Sequence, residues 1–189
     1  IEIEAQLIPK RAHHHAGVEH MIPADLMAAK VREAVAARRG EEFVIIARTN
    51  GIRSSNFEDA IERAAAYKAA GADVLMLSPR NAEEVRTIAE RLEPPFMLLV
   101  GIGGTATLGV SNEELGRLGF RLLVDAAQPM LVAFRAWKEL YDSTAEDLSS
   151  PVLTSEDGRR LRQELNEAVG LEELLKIERA TVEDGEHGG

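Results

Sequence analysis

The chain has 189 residues, 45% of them hydrophobic, and a formal net charge of -10. That length predicts one globular fold with a sizeable core, and the charge argues against a nucleic-acid or anionic-membrane partner, whose phosphates would be repelled. There is no cysteine, hence no disulfide framework and no thiolate nucleophile, which fits a cytoplasmic location; no apolar run approaches about 20 residues, so no spanning helix is expected.

The chain opens with Ile1-Glu2-Ile3-Glu4, a period-two strand pattern. It breaks at Pro9 into a loop dense in Lys10, Arg11, His13, His14 and His15. The first residue is not Met, and the strand has no lead-in, so further residues are expected upstream. A helix is predicted from Pro23, a favoured first helical position. Its apolar stripe is Met27, Val31, Ala34 and Val35, and Gly40 is its stop. Phe43 to Arg48 reads as a nearly continuous apolar strand, the mark of a parallel sheet covered on both faces.

Asn56 is placed to cap a second helix with Phe57, Ala60, Ile61, Ala64 and Ala65 inside and Gly71 as its end. Val74 to Leu77 follows as a strand. The unit then recurs. Asn81 caps a helix carrying Val85, Ile88, Ala89 and Leu92, Pro94-Pro95 stops it, and Phe96 to Val100 is the fourth strand. Gly101, Gly103 and Gly104 open a flexible loop. It has no phosphate-loop lysine, and no long helix starts from it. Ser111 with Glu114 is a capping-box pattern, and Arg121 to Val124 is the fifth strand. A helix over Met130 to Tyr141 is predicted to face inward with Leu131, Phe134, Trp137 and Leu140 or Tyr141.

The βα alternation ends there. Ser149-Ser150-Pro151 reads as a hinge, followed by helices over Thr154 to Val169 and Leu171 to Arg179. The expected organisation is an α/β unit over residues 1–148, a C-terminal helical segment over 149–183 and a disordered tail over 184–189. Five parallel strands with crossover helices fit an open doubly wound sheet or part of a (β/α)8 barrel. Closing a barrel takes about 250 residues.

Candidate chemistry sits at the strand ends, the catalytic end in a barrel. Glu4 ends the first strand, where a carboxylate can hold a Mg²⁺-bound water. Arg48 ends an otherwise apolar strand, where a guanidinium can take a carboxylate or phosphate bidentately; a structural ion pair with a neighbouring loop acid is its plain alternative. Consecutive histidines do not converge on one ion and match no zinc spacing. His13 and His14 read instead as a proton donor or a positive lid.

Taken in order, IEIEAQ, PKRAHHHAG, MIPADLMAAKVREAVAAR, FVIIARTNG and EDAIERAAAYKAAGADVLML resemble the second half of the isocitrate lyase / phosphoenolpyruvate mutase superfamily. The resemblance covers about residues 1 to 180. It implies the carboxyl-terminal five strands of a partial TIM-like (β/α) barrel plus C-terminal helices, one of them exchanged between subunits of a homo-oligomer, dimer or tetramer. It implies Mg²⁺-assisted cleavage or formation of a C–C or C–P bond beside the carboxylate of a small 2-oxo or 2-hydroxy acid. Glu4 would match the metal-shell Glu, through water. Lys10 and Arg11 would belong to the gating loop, with Lys10, His13 and His14 as catalytic groups, and Arg11 and Arg48 would bind substrate.

The family's loop cysteine falls at Ala12, the Asp of its first strand at Ala5 and the Asp after its ART motif at Asn50. The third strand runs into Ser78-Pro79 without an acid. A thiol-free loop fits the mutase, phosphonopyruvate hydrolase or oxaloacetate decarboxylase branches better than a Cys-dependent lyase. The family's Mg²⁺-binding aspartates lie on earlier strands. The alternative is a non-catalytic half-barrel that folds only by oligomerising.

Overall fold

The computed structural model describes residues 1–10, 20–40, 42–146 and 153–181. The loop histidines, Arg11, the expected hinge and the tail lie outside those residues. Two compact units are distinguished, Ile1–Leu131 and Val132–Gly189.

The first unit is a five-stranded parallel sheet in the order β1-β2-β3-β4-β5. The strands are β1 (Glu2–Glu4), β2 (Ile46–Arg48), β3 (Val74–Leu77), β4 (Phe96–Val100) and β5 (Phe120–Asp125), joined through α1 (Ala24–Ala37), α2 (Gly51–Ser54), α3 (Phe57–Ala69), α4 (Ala82–Arg91) and α5 (Asn112–Arg117). Sequential order is the arrangement of barrel staves, and a doubly wound sheet would break it at a switch point. The packing agrees. Met27, Val31, Ile61, Tyr67, Val85, Ile88 and Leu115 from the helices share one buried cluster with Ala47, Leu75, Leu77, Phe96 and Leu98. The helices therefore lie on one face of the sheet. The opposite face carries a smaller cluster of Val74, Met76 and Met97 with Ile46, Leu99 and Val124. The chain is a partial (β/α) barrel, and that second face is its inner wall.

Local chemistry explains the element boundaries. Asn56, Asn81 and Ser111 each accept a backbone hydrogen bond three residues on, from Asp59, Glu84 and Glu114, which satisfies an orphan amide at each helix start. Pro23, expected as the first helical residue, stands one position outside α1 without a capping side-chain hydrogen bond. Gly119 enters β5 at a φ of 91°, where a Cβ would stand 2.6 Å from the Pro94 Cβ; only glycine fits there.

Three expectations need correction. The second strand is shorter than predicted, Ile46–Arg48, because Phe43 and Val44 lie in the turn before it and are 51% and 40% exposed. Ala65 points to solvent and Tyr67, fully buried, takes the inner position of α3. The apolar stripe of α6 (Gln128–Glu146) does not face inward: Leu131, Phe134, Trp137, Leu140 and Tyr141 are 41–71% exposed. An apolar helix stripe predicts burial only where another layer exists to receive it. The described residues place none over this face.

In the second unit, α7 (Ser155–Ala168) and α8 (Leu171–Thr181) form two helices with no buried residues. Thr154 and Asp157 make a reciprocal capping box at the start of α7.

Candidate active site

Register decides the site. Glu4 pairs with Arg48, Arg48 with Met76, Met76 with Met97 and Met97 with Leu122. These residues form one row across the inner wall, which starts at the carboxyl ends of β1 and β2 and runs toward the amino-terminal half of β4 and β5. Side chains two apart on a strand share a face, so Glu2 joins Glu4, and Asn50, just past β2, lies above Arg48.

Arg48 is held by three acceptors. Its Nη1 donates to Glu2 Oε1 at 3.1 Å and its Nε to Asn50 Oδ1 at 2.9 Å, while its Nη2 lies 3.2 Å from Glu4 Oε1. Asn50 closes the ring, its Nδ2 donating to Glu4 Oε1 at 2.7 Å. Lys10 Nζ lies 2.8 Å from Glu4 Oε2. Two carboxylates thus face two cations. The side chains of Glu4 and Arg48 are about one-sixth exposed, whereas Lys10 is half exposed. Burial alone would raise the Glu4 pKa, but Lys10, the Asn50 amide and Arg48 together outweigh it and hold the carboxyl below its ordinary range. Glu4 is therefore an anion and an acceptor over the neutral range.

The backbone around Asn50 is fixed from behind. Asn50 stands at the N-cap position of α2, a single turn absent from the sequence expectations, and its side chain makes no capping hydrogen bond there. Gly51 follows because a Cβ there would lie 2.9 Å from both the Cα and the Cβ of Ala60. The Gly51 amide also donates to Thr49 Oγ1 at 3.1 Å. With Thr49, Asn50 and Gly51 all buried, the Asn50 amide has little freedom to leave its two charged partners.

Of the predicted site residues, Glu4, Arg48 and Lys10 come together in one cluster. Arg11, His13 and His14 lie outside the described residues. Two members went unrecognised. Glu2 was signalled by its spacing of two from Glu4, and Asn50 by the same spacing from Arg48, but their joint role depends on the β1–β2 register. The plain alternative for Arg48, an ion pair, is what the structure contains, with strand acids rather than a loop acid.

A cleft of about 600 Å³ opens at the carboxyl ends of β3, β4 and β5, with Arg53, Ser78 and Arg80 among its lining residues. The glycine-rich turn forms one wall. Its Gly104 amide donates to the Gly101 carbonyl at 3.0 Å and it runs into a 3-10 turn over Thr105–Leu108. Among the described residues no group of three or more His, Cys, Asp or Glu is arranged to hold a metal ion. Glu4 is one carboxylate, already shared among three partners, and does not make a metal centre by itself.

The family model described as phosphoenolpyruvate phosphomutase matches residues 1–145. The chain is 31% identical over 185 residues to the 2,3-dimethylmalate lyase of Eubacterium barkeri, covering 94% of this chain and 61% of that one. It is 35% identical over 138 residues to an oxaloacetate decarboxylase of Pseudomonas putida, covering 72% of this chain and 45% of the relative. A crystal structure of 2,3-dimethylmalate lyase superposes with a TM-score of 0.79 at 29% identity, over all of this chain and 62% of that one. The chain thus spans less than two thirds of the length of these relatives.

Proposed function

The chain belongs to the phosphoenolpyruvate phosphomutase family, and from that premise we propose that it serves a lyase- or mutase-type enzyme that breaks a C–C or C–P bond beside the carboxylate of a small 2-oxo or 2-hydroxy acid. The observation that carries the reading is the Glu4–Arg48–Asn50–Lys10 cluster at the carboxyl end of adjacent strands. The chain's similarity to an oxaloacetate decarboxylase and a 2,3-dimethylmalate lyase supports the substrate class.

In this reading Arg48 receives the substrate carboxylate in place of Glu2, the more exposed of its two acids. Asn50 keeps the guanidinium aimed during the exchange. Lys10, half exposed at the start of the loop, presents a positive charge over the reacting end, where an enolate's negative charge would grow. Arg11 would add to substrate binding, and His13 or His14 would deliver a proton. Mg²⁺ is the proposed cofactor; when bound, it supplies positive charge against the enolate. Glu4, held anionic, would accept a hydrogen bond from water on that ion, since the described residues do not complete a metal site.

The test is binding and turnover together. Oxalate, a planar two-carboxylate mimic of an enolate, is titrated calorimetrically with and without Mg²⁺, and oxaloacetate and phosphonopyruvate consumption is followed. Oxalate binding that is lost in Arg48→Gln is expected; oxalate affinity unchanged by that substitution would end the reading.

A second reading rests on the exposed apolar stripe of α6. Here the chain is an assembly element, a half-barrel that is stable only as a homo-oligomer, with the C-terminal helices exchanged between copies. Light scattering after size exclusion separates the readings: a dimer or tetramer that binds neither oxalate nor Mg²⁺ favours the second. No described helix is long and apolar enough to cross a membrane, and action in the cytoplasm forms part of the proposal.

A further inference from the structure

The chain just after β1 and the chain just before α1 are tied together. The Leu7 amide donates to the His20 carbonyl at 2.7 Å and the Ile22 amide to the Ala5 carbonyl at 2.8 Å, and Gln6 faces Met21 in an antiparallel bridge. Lys10, which meets Glu4 Oε2 at 2.8 Å, follows directly from this short ladder. An isolated two-stranded piece is marginal in water, so the ladder needs a third element to fix it.

Arg63, on α3, supplies that element. Its Nη1 donates to the Ile22 carbonyl at 2.9 Å, across 41 positions of sequence, and its Nε donates to Asp59 Oδ2 at 2.8 Å. The Ile22 peptide is thus held from both sides, its amide by Ala5 and its carbonyl by Arg63. Asp59 Oδ2 also accepts from the Ser55 hydroxyl at 2.5 Å, and the Ser55 amide donates to the Gly51 carbonyl at 2.9 Å. One hydrogen-bonded chain therefore runs from the ladder to the residue that follows Asn50. An ordinary helical pair of residues four apart stays at the surface. The Arg63 side chain is only 14% exposed, and a guanidinium so far out of water is tolerated when its donors are used.

We propose that Arg63 is a positioning residue for the candidate active site: through the Ile22 carbonyl it fixes the ladder from which Lys10 reaches Glu4, and through Asp59 and Ser55 it ties that ladder to the start of α2 beside Asn50. The effect on ligand binding rests on the roles given above to Arg48 and Lys10, whereas the brace itself stands on its own contacts.

Amide hydrogen exchange on the full chain, read by mass spectrometry over residues 5–8 and 20–23, tests this. In Arg63→Met, exchange over both segments is expected to quicken about tenfold, as for loss of a charge-assisted hydrogen bond, with residues 74–77 of β3 unchanged. Arg63→Lys, which keeps a donor for the Ile22 carbonyl but not the second arm, should restore part of the protection. Oxalate affinity should follow the same order, falling about fivefold in Arg63→Met. Unchanged exchange over 5–8 and 20–23, or a rise matched over 74–77, would overturn the proposal; the second result would mark a loss of fold stability alone. Should Arg63→Met fail to fold, Arg63→Lys carries the same comparison. Oxalate affinity indifferent to both variants, in a chain that loses oxalate on Arg48→Gln, would also overturn it. If the unaltered chain binds no oxalate, the reading of Arg48 falls and exchange over the ladder decides the brace.

Discussion

Replacing Asn50 with aspartate would put a second carboxylate where an amide now donates to Glu4. The amide nitrogen is 2.7 Å from Glu4 Oε1. Two unit charges at that separation, at an effective dielectric of about 20, repel by about 6 kcal/mol. Arg48 and Lys10 offset part of this, and proton uptake by the pair caps the rest. Holding one proton on a carboxyl of ordinary pKa costs about 4 kcal/mol at pH 7 but only about 1.4 kcal/mol at pH 5. Asn50→Asp should therefore destabilise the fold by about 2–4 kcal/mol at pH 7 and by about 1 kcal/mol at pH 5. The sign follows from linkage. The pair's raised pKa makes the folded state bind more protons than the unfolded one between the two values, so stability drops as pH rises through that window. Unaltered Glu4 runs the other way: its pKa is depressed, and its contribution is present above the unfolded value and disappears as pH falls. Urea unfolding at both pH values, with Asn50→Ala as a control that removes the hydrogen bonds without adding charge, measures the slope. A loss equal at pH 5 and pH 7, or a slope shared by the alanine variant, would refute the reasoning.

Gly51→Ala should cost about 1–3 kcal/mol in urea unfolding, because its Cβ would press on the α3 backbone at Ala60. Asp73 accepts from Arg38 Nη1 at 2.7 Å and from the Ile45 amide at 2.8 Å; burial tends to raise its pKa, but these partners and Lys68 lower it below the ordinary value. Its contribution therefore holds above that value and fades as pH falls, so Asp73→Asn should flatten the acid side of the stability–pH curve. Leu77→Ala, at a fully buried position of β3, should cost about 2–5 kcal/mol by the same assay. Phe134→Glu with Trp137→Lys should shift any dimer or tetramer to monomer on light scattering while leaving circular dichroism intact, since both side chains are about 60% exposed.

Much of this was readable from short-range chemistry. Val74–Leu77 and Phe96–Val100 form strands at their predicted bounds, because an apolar run between helix stops has only one way to be buried. The three Asn and Ser caps likewise need nothing beyond the next turn. The position of Glu4 beside Arg48 was legible once both were placed at strand ends. What was not legible depends on partners distant in sequence. Asn50 bridges Arg48 and Glu4 only because β1 and β2 pair in this register, and Gly51 at the start of α2 lies close against Ala60, a neighbour nine residues on. The burial of α6 was misjudged for the same reason: amphipathicity states that a helix has an apolar side and is silent on who provides the cover. Arg53 went unremarked because a surface arginine carries no signal until a hollow is found next to it.

The threefold grip on Arg48 means that no visiting acid meets a bare cation. It must displace a resident, and the exchange is nearly even: one carboxylate arrives at the guanidinium as another departs to water. If Arg48 binds an acid as proposed, such a swap would keep occupancy modest and release fast. At rest the guanidinium is self-occupied, with its own glutamate as placeholder.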